Sequence, residues 1–131
     1  MERDDLYRLG RKIRKEAFGE QGERSFAELE KIDAGHARAI AEYCFGTVWA
    51  RPGLDLKTCE LIVITAAVAQ DLAEEVVLHV RGALNRGAAR GEVIEAIVQC
   101  APYIGFPKTN HALRAAQQAF DEFDGVRPSQ A

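Results

Sequence analysis

Apolar positions along this chain recur every three or four residues, and strict alternation is nearly absent, so the pattern predicts helices joined by short connections. Leu6, Leu9, Ile13 and Ala17 predict a first helix over 5–18, and Gly19 and Gly22 predict its end. Ser25 with Glu28 three residues on reads as a capping box for a second helical stretch reaching Phe45, with Gly35 as its weak point. Gly46 to Leu54 contains Pro52 and Gly53 and predicts an ordered loop. Asp55 is placed to cap a helix over 56–69, and Asp71 the next, which runs to Arg86 and stops at Gly87. A helix over 90–104 should kink or end early at Pro102. The last runs from Pro107 to Phe123, and 125–131 reads as a frayed tail. The expectation is one all-α domain spanning 1–131.

Composition narrows the function classes. A chain of 131 residues, 47% hydrophobic and 28% charged, buries a core without disulfides or metals. Its net charge of −3 gives no basic face for nucleic acid. The longest apolar run, Leu61 to Ala69, is too short to span a bilayer, and the charged start at Met1 is no signal peptide. Cys44, Cys59 and Cys100 form neither a CxxC nor a zinc spacing and read as small core residues. These features predict a cytoplasmic protein without a metal.

The helix after Asp71 is the most informative. Val76, Val77, Val80, Ala83 and Leu84 form its core stripe, and Glu75, His79 and Arg86 lie beside it. Glu75 and His79 are one turn apart, so they are either an acid/base pair or an ordinary helix-edge ion pair. Glu60 is either a buried carboxylate with a raised pKa, able to store a proton, or a first-turn acid complementing the helix dipole. Arg51 either grips a substrate carboxylate or caps a helix end, and Trp49 either walls an unsaturated ring or plugs the core. His36 and His111 read as surface or satisfied polar residues, and Arg11, Lys12, Arg14 and Lys15 as a solvated face.

Taken together, Tyr7-Arg-Leu-Gly10, Gly46-Thr-Val-Trp-Ala-Arg-Pro-Gly-Leu54, Glu75-Val-Val-Leu-His79, Ala83-Leu-Asn-Arg-Gly87, Glu92-Val-Ile-Glu95 and Tyr103-Ile-Gly-Phe-Pro107 followed by Asn110 make the chain resemble the carboxymuconolactone decarboxylase family. The resemblance implies an alkyl hydroperoxidase D-like helical bundle built on a helical hairpin, assembled as a homotrimer or hexamer with sites near subunit contacts. The hydroperoxidase branch of that superfamily carries a CxxC whose cysteines fall here at Leu72 and Glu75, ahead of His79, with its glutamate at Glu60. Both thiols are missing, so a dithiol peroxidase mechanism is not expected.

The decarboxylase resemblance implies a small carboxylate substrate, 4-carboxymuconolactone, converted without a cofactor to the β-ketoadipate enol-lactone in aromatic-acid breakdown. It assigns the substrate carboxylate to Arg51, the ring to Trp49, oxyanion contact and proton delivery to His79, and the orientation of His79 to Glu75. Arg81 or Arg86 would serve a second carboxylate. The chain departs from the family pattern at Phe45, Thr47, Cys59-Glu60, Lys108 and His111. Cys59-Glu60 replaces an Arg-Ser pair and makes the pocket less suited to a dianion, a charge that Lys108 restores. The competing expectations are an enzyme for another unsaturated or keto acid, a hydroperoxide reductase, and a non-enzymatic oligomer that binds a small acid or a protein.

Overall fold

A computed structural model describes residues 1–125, and every regular element among them is helical. The chain divides into two compact units, the first spanning Met1–Asp55 and the second beginning at Leu56.

The first unit contains α1 (Arg3–Ile32), α2 (Ala34–Ala39) and a π-helical segment (Ile40–Trp49). α1 is two helical stretches joined at Gly19, whose φ of 62° and ψ of −154° only glycine adopts readily. The expected break at Gly19 is therefore a kink, and Gly22 is back inside the helix. Ser25 and Glu28 consequently lie within α1 and form no capping box. The helix ends at Asp33, whose carboxylate caps α2 by accepting from the His36 N–H at 3.1 Å.

The expected loop begins later than Gly46, because the wide helical turn continues to Trp49. Gly46 is fixed there by close backbone approach. A Cβ at Gly46 would lie 2.3 Å from the Leu6 carbonyl oxygen, and one at Gly10 would lie 1.8 Å from that of Ala41. α1 and the π-helical segment thus touch backbone to backbone. Beside this contact Phe45 stacks on Trp49 at 5.6 Å and meets the edge of Phe18 at 6.0 Å.

The expected solvated face of α1 is only partly solvated. Lys12 and Lys15 are exposed, but Arg14 is buried. Its guanidinium lies 5.4–5.9 Å from the Phe18, Phe26 and Phe45 rings and donates to the Gly22 carbonyl. Arg11 packs 4.1 Å over Phe26 and pairs with Glu23 at 2.7 Å. Ring faces and a backbone carbonyl supply the negative potential that a buried guanidinium requires.

The second unit contains α3 (Leu56–Ala69), α4 (Ala73–Asn85), α5 (Arg90–Val98), α6 (Ala101–Ile104) and α7 (Phe106–Phe123). α3 and α4 form a helical hairpin whose core faces carry Ile64, Val68, Val76, Val80 and Ala83. α5 adds Val93 and Ile97, and α7 adds Ala112, Ala115, Ala116, Ala119 and Phe120. The alanine stripe of α7 lets it pack closely against its neighbours. Pro102 divides the expected 90–104 helix into α5 and α6, and Gly87 takes the expected left-handed conformation, with φ 88°.

Asp71 does not cap α4. Leu72 precedes the helix without a side-chain cap, while Asp71 sits in a left-handed turn with φ 58°. Its carboxylate meets Nδ1 of His111 at 3.0 Å. At the chain end Gly125 turns away from α7 with φ 75°, and the rest of the expected frayed tail lies outside the described residues.

Gly10→Ala should lower stability by about 3 kcal/mol or more, because relief needs a backbone shift. Gly53→Ala, where a Cβ meets nothing within 4 Å, should stay within about 0.5 kcal/mol of wild type. Urea unfolding of both variants checks the contrast.

Candidate active site

The second unit brings together Glu60 of α3 with Glu75, His79 and Gly82 of α4 and with Arg86, the C-cap of that helix. These four follow one another at spacings of four, three and four, which places them along one helical face. Glu60 has no solvent exposure, and its Oε2 lies 2.9 Å from Nδ1 of His79. The other imidazole nitrogen, Nε2, lies 3.5 Å from Oε2 of Glu75, whose side chain is half-exposed. His79 itself is 7% exposed. The imidazole therefore spans from a buried carboxylate to one at the surface.

Gly82 makes room for the buried end. A Cβ there would lie 2.8 Å from the carboxyl atoms of Glu60, so any side chain would displace that carboxylate. Glu60 Oε1 accepts no hydrogen bond among the described residues.

Burial pushes the Glu60 carboxyl above its ordinary range, against the hydrogen bond and charge of His79 and the charge of Arg86. Burial pulls the His79 imidazolium down, but hydrogen bonds and charge from Glu60 and Glu75 outweigh it and push His79 up to about 8. The two groups titrate as a unit. A carboxylate at each ring nitrogen favours the protonated imidazole.

The expected contact between Glu75 and His79 is present, and Glu60 joins it as a second carboxylate on the imidazole. Glu60 makes the short buried contact with Nδ1, because the packing of α3 on α4 turns it inward. Glu75 holds the outer nitrogen at longer range. Of the two alternatives for Glu60, the structure shows the buried carboxylate, and burial is what pushes its pKa up.

The remaining expected site residues belong to the first unit or have other partners. Arg51 and Trp49 belong to the first unit, where Arg51 is exposed and Trp49 is buried against Phe45. Arg81 is ion-paired with Glu122, which ties α4 to α7. Lys108 donates to the Ala69 carbonyl at 3.1 Å. With Asp71, His111, Leu72 and Val76 it lines a shallow recess that includes neither Glu60 nor His79. Arg86 is half-buried, and its charge acts on Glu60. Gly82 was missed in the sequence, although its place three residues after His79 puts it on the same face.

Cys44, Cys59 and Cys100 carry thiols rather than disulfides. Burial pushes the thiols of Cys44 and Cys100 up, opposite to the shift that a thiolate nucleophile needs. No cluster of three or more His, Cys, Asp or Glu suited to a metal ion occurs among the described residues. No described helix is long and apolar enough to cross a membrane.

Residues 34–118 match the model of the carboxymuconolactone decarboxylase family, and the chain belongs to that family. It is 31% identical over 129 residues to the 4-carboxymuconolactone decarboxylase of Acinetobacter baylyi, covering 98% of this chain and 96% of that protein. It is 33% identical over 124 residues to a nitrosuccinic acid decarboxylase of Metarhizium robertsii, covering 91% and 87%.

Because the folded-state pKa of His79 is raised, its pairing stabilises the fold fully below 6.5, the ordinary histidine value, and the contribution is lost as pH rises through about 8. The difference in unfolding free energy between wild type and His79→Gln should therefore narrow by about 2 kcal/mol across that window. Denaturant unfolding at a series of pH values checks it, and a difference that widens with pH would contradict the assignment. Gly82→Ala should cost about 1–3 kcal/mol and lower the titration midpoint of His79, which nuclear magnetic resonance can follow.

Proposed function

We propose that this chain is a cofactor-independent decarboxylase for a small carboxylic acid that contains its own electron sink, with 4-carboxymuconolactone as the first substrate to test. The observation that carries the reading is the His79 imidazole held between Glu60 and Glu75. It is largely buried yet charged near neutrality, so it can stabilise an anionic oxygen and supply a proton.

The chemistry balances without a cofactor. Cleavage of the bond to the carboxylate releases CO2 and leaves an electron pair. In a butenolide that pair moves through the ring double bond onto the lactone carbonyl oxygen. The Nε2 side of His79 meets the developing enolate, and the proton is returned to carbon. His79 then regains a proton from solvent. Glu60 stabilises the imidazolium through Nδ1 and fixes the ring. Glu75 is half-exposed and its contact is long, so substrate can displace it from Nε2. The family resemblance assigns Arg51 to the substrate carboxylate and implies a homo-oligomer, and metabolism of a free acid fits a cytoplasmic enzyme.

A second substrate class follows from a named relative. A nitro acid offers a nitro group as the electron sink, and one relative is named for nitrosuccinic acid. The same proton donor serves both chemistries.

Turnover of 4-carboxymuconolactone, generated in situ and followed by ultraviolet absorbance and CO2 release, tests the reading beside nitrosuccinate. His79→Ala should lower kcat by about 10²–10⁴-fold on whichever acid is used. Wild-type protein inert on both would remove support for these substrates. A His79→Ala variant with unchanged turnover would sink the assigned role of His79.

A further inference from the structure

Glu60 and Arg86 each leave a buried polar atom without a hydrogen-bond partner among the described residues: the acceptor Oε1 and the donor Nε. Gly82, whose missing side chain leaves space for the Glu60 carboxylate, lies one turn before Arg86 on the face of α4 that also carries His79. Glu60 thus lies against Gly82, Arg86 follows Gly82 by one turn, and the charge of Arg86 acts on the Glu60 carboxylate. The reaction proposed above uses neither Oε1 nor Nε.

We propose that Arg86 is a positioning residue for the Glu60–His79 pair, its guanidinium charge behind Glu60 keeping the shared proton on the imidazole ring. This inference rests on the proposed role of His79 as the proton donor and adds the group that determines where its proton resides.

The physical argument concerns a single proton with two alternative sites. With the proton on Nδ1, Glu60 is an anion in a buried setting and His79 is a cation. With the proton on Oε2, both groups are neutral. Burial alone favours the neutral arrangement. A cation on the far side of the carboxylate reverses that preference, because it stabilises the anion and gains nothing from the neutral acid. Glu75 acts in the same direction from the Nε2 side by stabilising the imidazolium.

Several other charged groups on the packed helices are paired among themselves. Lys57 meets Glu92 at 3.0 Å where α3 packs on α5. Arg81 meets Glu122 where α4 packs on α7, and Arg90 of α5 meets Asp124 beyond the end of α7. His111 on α7 meets Asp71. Arg86 is the charged group besides His79 whose field reaches Glu60.

The test is nitrogen-15 magnetic resonance of the full chain with labelled histidine, because the ring nitrogens report imidazolium and neutral imidazole directly. Spectra are taken at about pH 7, within the usual histidine titration range, for wild type, Arg86→Gln, Arg86→Met and Arg86→Lys. Wild type should show His79 as imidazolium. Arg86→Gln and Arg86→Met should lower the imidazolium-to-imidazole ratio at His79 by roughly tenfold, the effect of a one-unit change in relative proton affinity. Arg86→Lys should restore the wild-type signature.

The methionine variant keeps the packing stem, so it carries the comparison should the glutamine variant unfold. In a Glu60→Gln background, Arg86→Met should leave His79 unchanged, because the carboxylate through which Arg86 acts is gone. The proposal is overturned if wild type is already neutral at His79, or if folded Arg86→Met retains the wild-type imidazolium. A purely structural Arg86 would lower thermal stability without moving these signals. The spectra need no substrate, so failure of the decarboxylase assay leaves this result separately readable.

Discussion

A carboxylate with no exposure to water must have its charge answered within a few ångströms, and Glu60 places that demand on the second unit. Three features of α4 meet it. His79 contributes a hydrogen bond to Oε2, Arg86 contributes a positive field, and Gly82 contributes the absence of a side chain. Each depends on the rotation of α4 about its own axis. That rotation is fixed by the stripe of Val76, Val80 and Ala83 against Ile64 and Val68 of α3. The apolar packing thus sets the register in which the polar pair is satisfied, and the polar pair penalises any other register.

The same arrangement determines what the site can do. An imidazole between two carboxylates is a reservoir for one proton, and its two ends differ. The Glu60 end is sealed, whereas the Glu75 end reaches a half-exposed side chain. In the proposed reaction the proton leaves from the Glu75 end while the Glu60 end keeps the ring oriented. Where the family pattern has an Arg-Ser pair, this chain has Cys59-Glu60. A carboxylate that pairs with His79 thus stands there in place of a hydroxyl.

Much of the helix layout was legible in the sequence. The helix over 56–69 was read to the residue, and the proline positions located the breaks near α6 and α7, because apolar period and missing N–H groups act locally. Tertiary contact overrode local signals elsewhere. Gly46 looked like a loop residue, but it is helical because backbone from Leu6 lies against it. Arg14 looked like part of a solvated run, but three aromatic rings from separated positions receive it. For the site, Glu75 and His79 were visible as neighbours one turn apart. The stronger Glu60–His79 contact joins residues 19 apart in sequence, and helical periodicity cannot reveal which face of α3 meets α4.

The contrast with the hydroperoxidase branch turns on the positions ahead of His79. The resemblance places that branch's two cysteines at Leu72 and Glu75 of this chain. A thiol beside a histidine favours transfer of its proton to the ring, which makes a thiolate nucleophile. A carboxylate in the same place has no proton to give near neutrality and instead stabilises the protonated ring. Glu75 does so from 3.5 Å, and His79 is pushed up to about 8. In the proposed reaction, a carboxylate in place of the thiol turns the histidine from base toward acid. The buried glutamate behind the ring serves either direction, since both pass through an imidazolium. Retaining Glu60 while losing both thiols is therefore chemically coherent: the stabiliser of the charged ring is kept, and the group on its open side is changed.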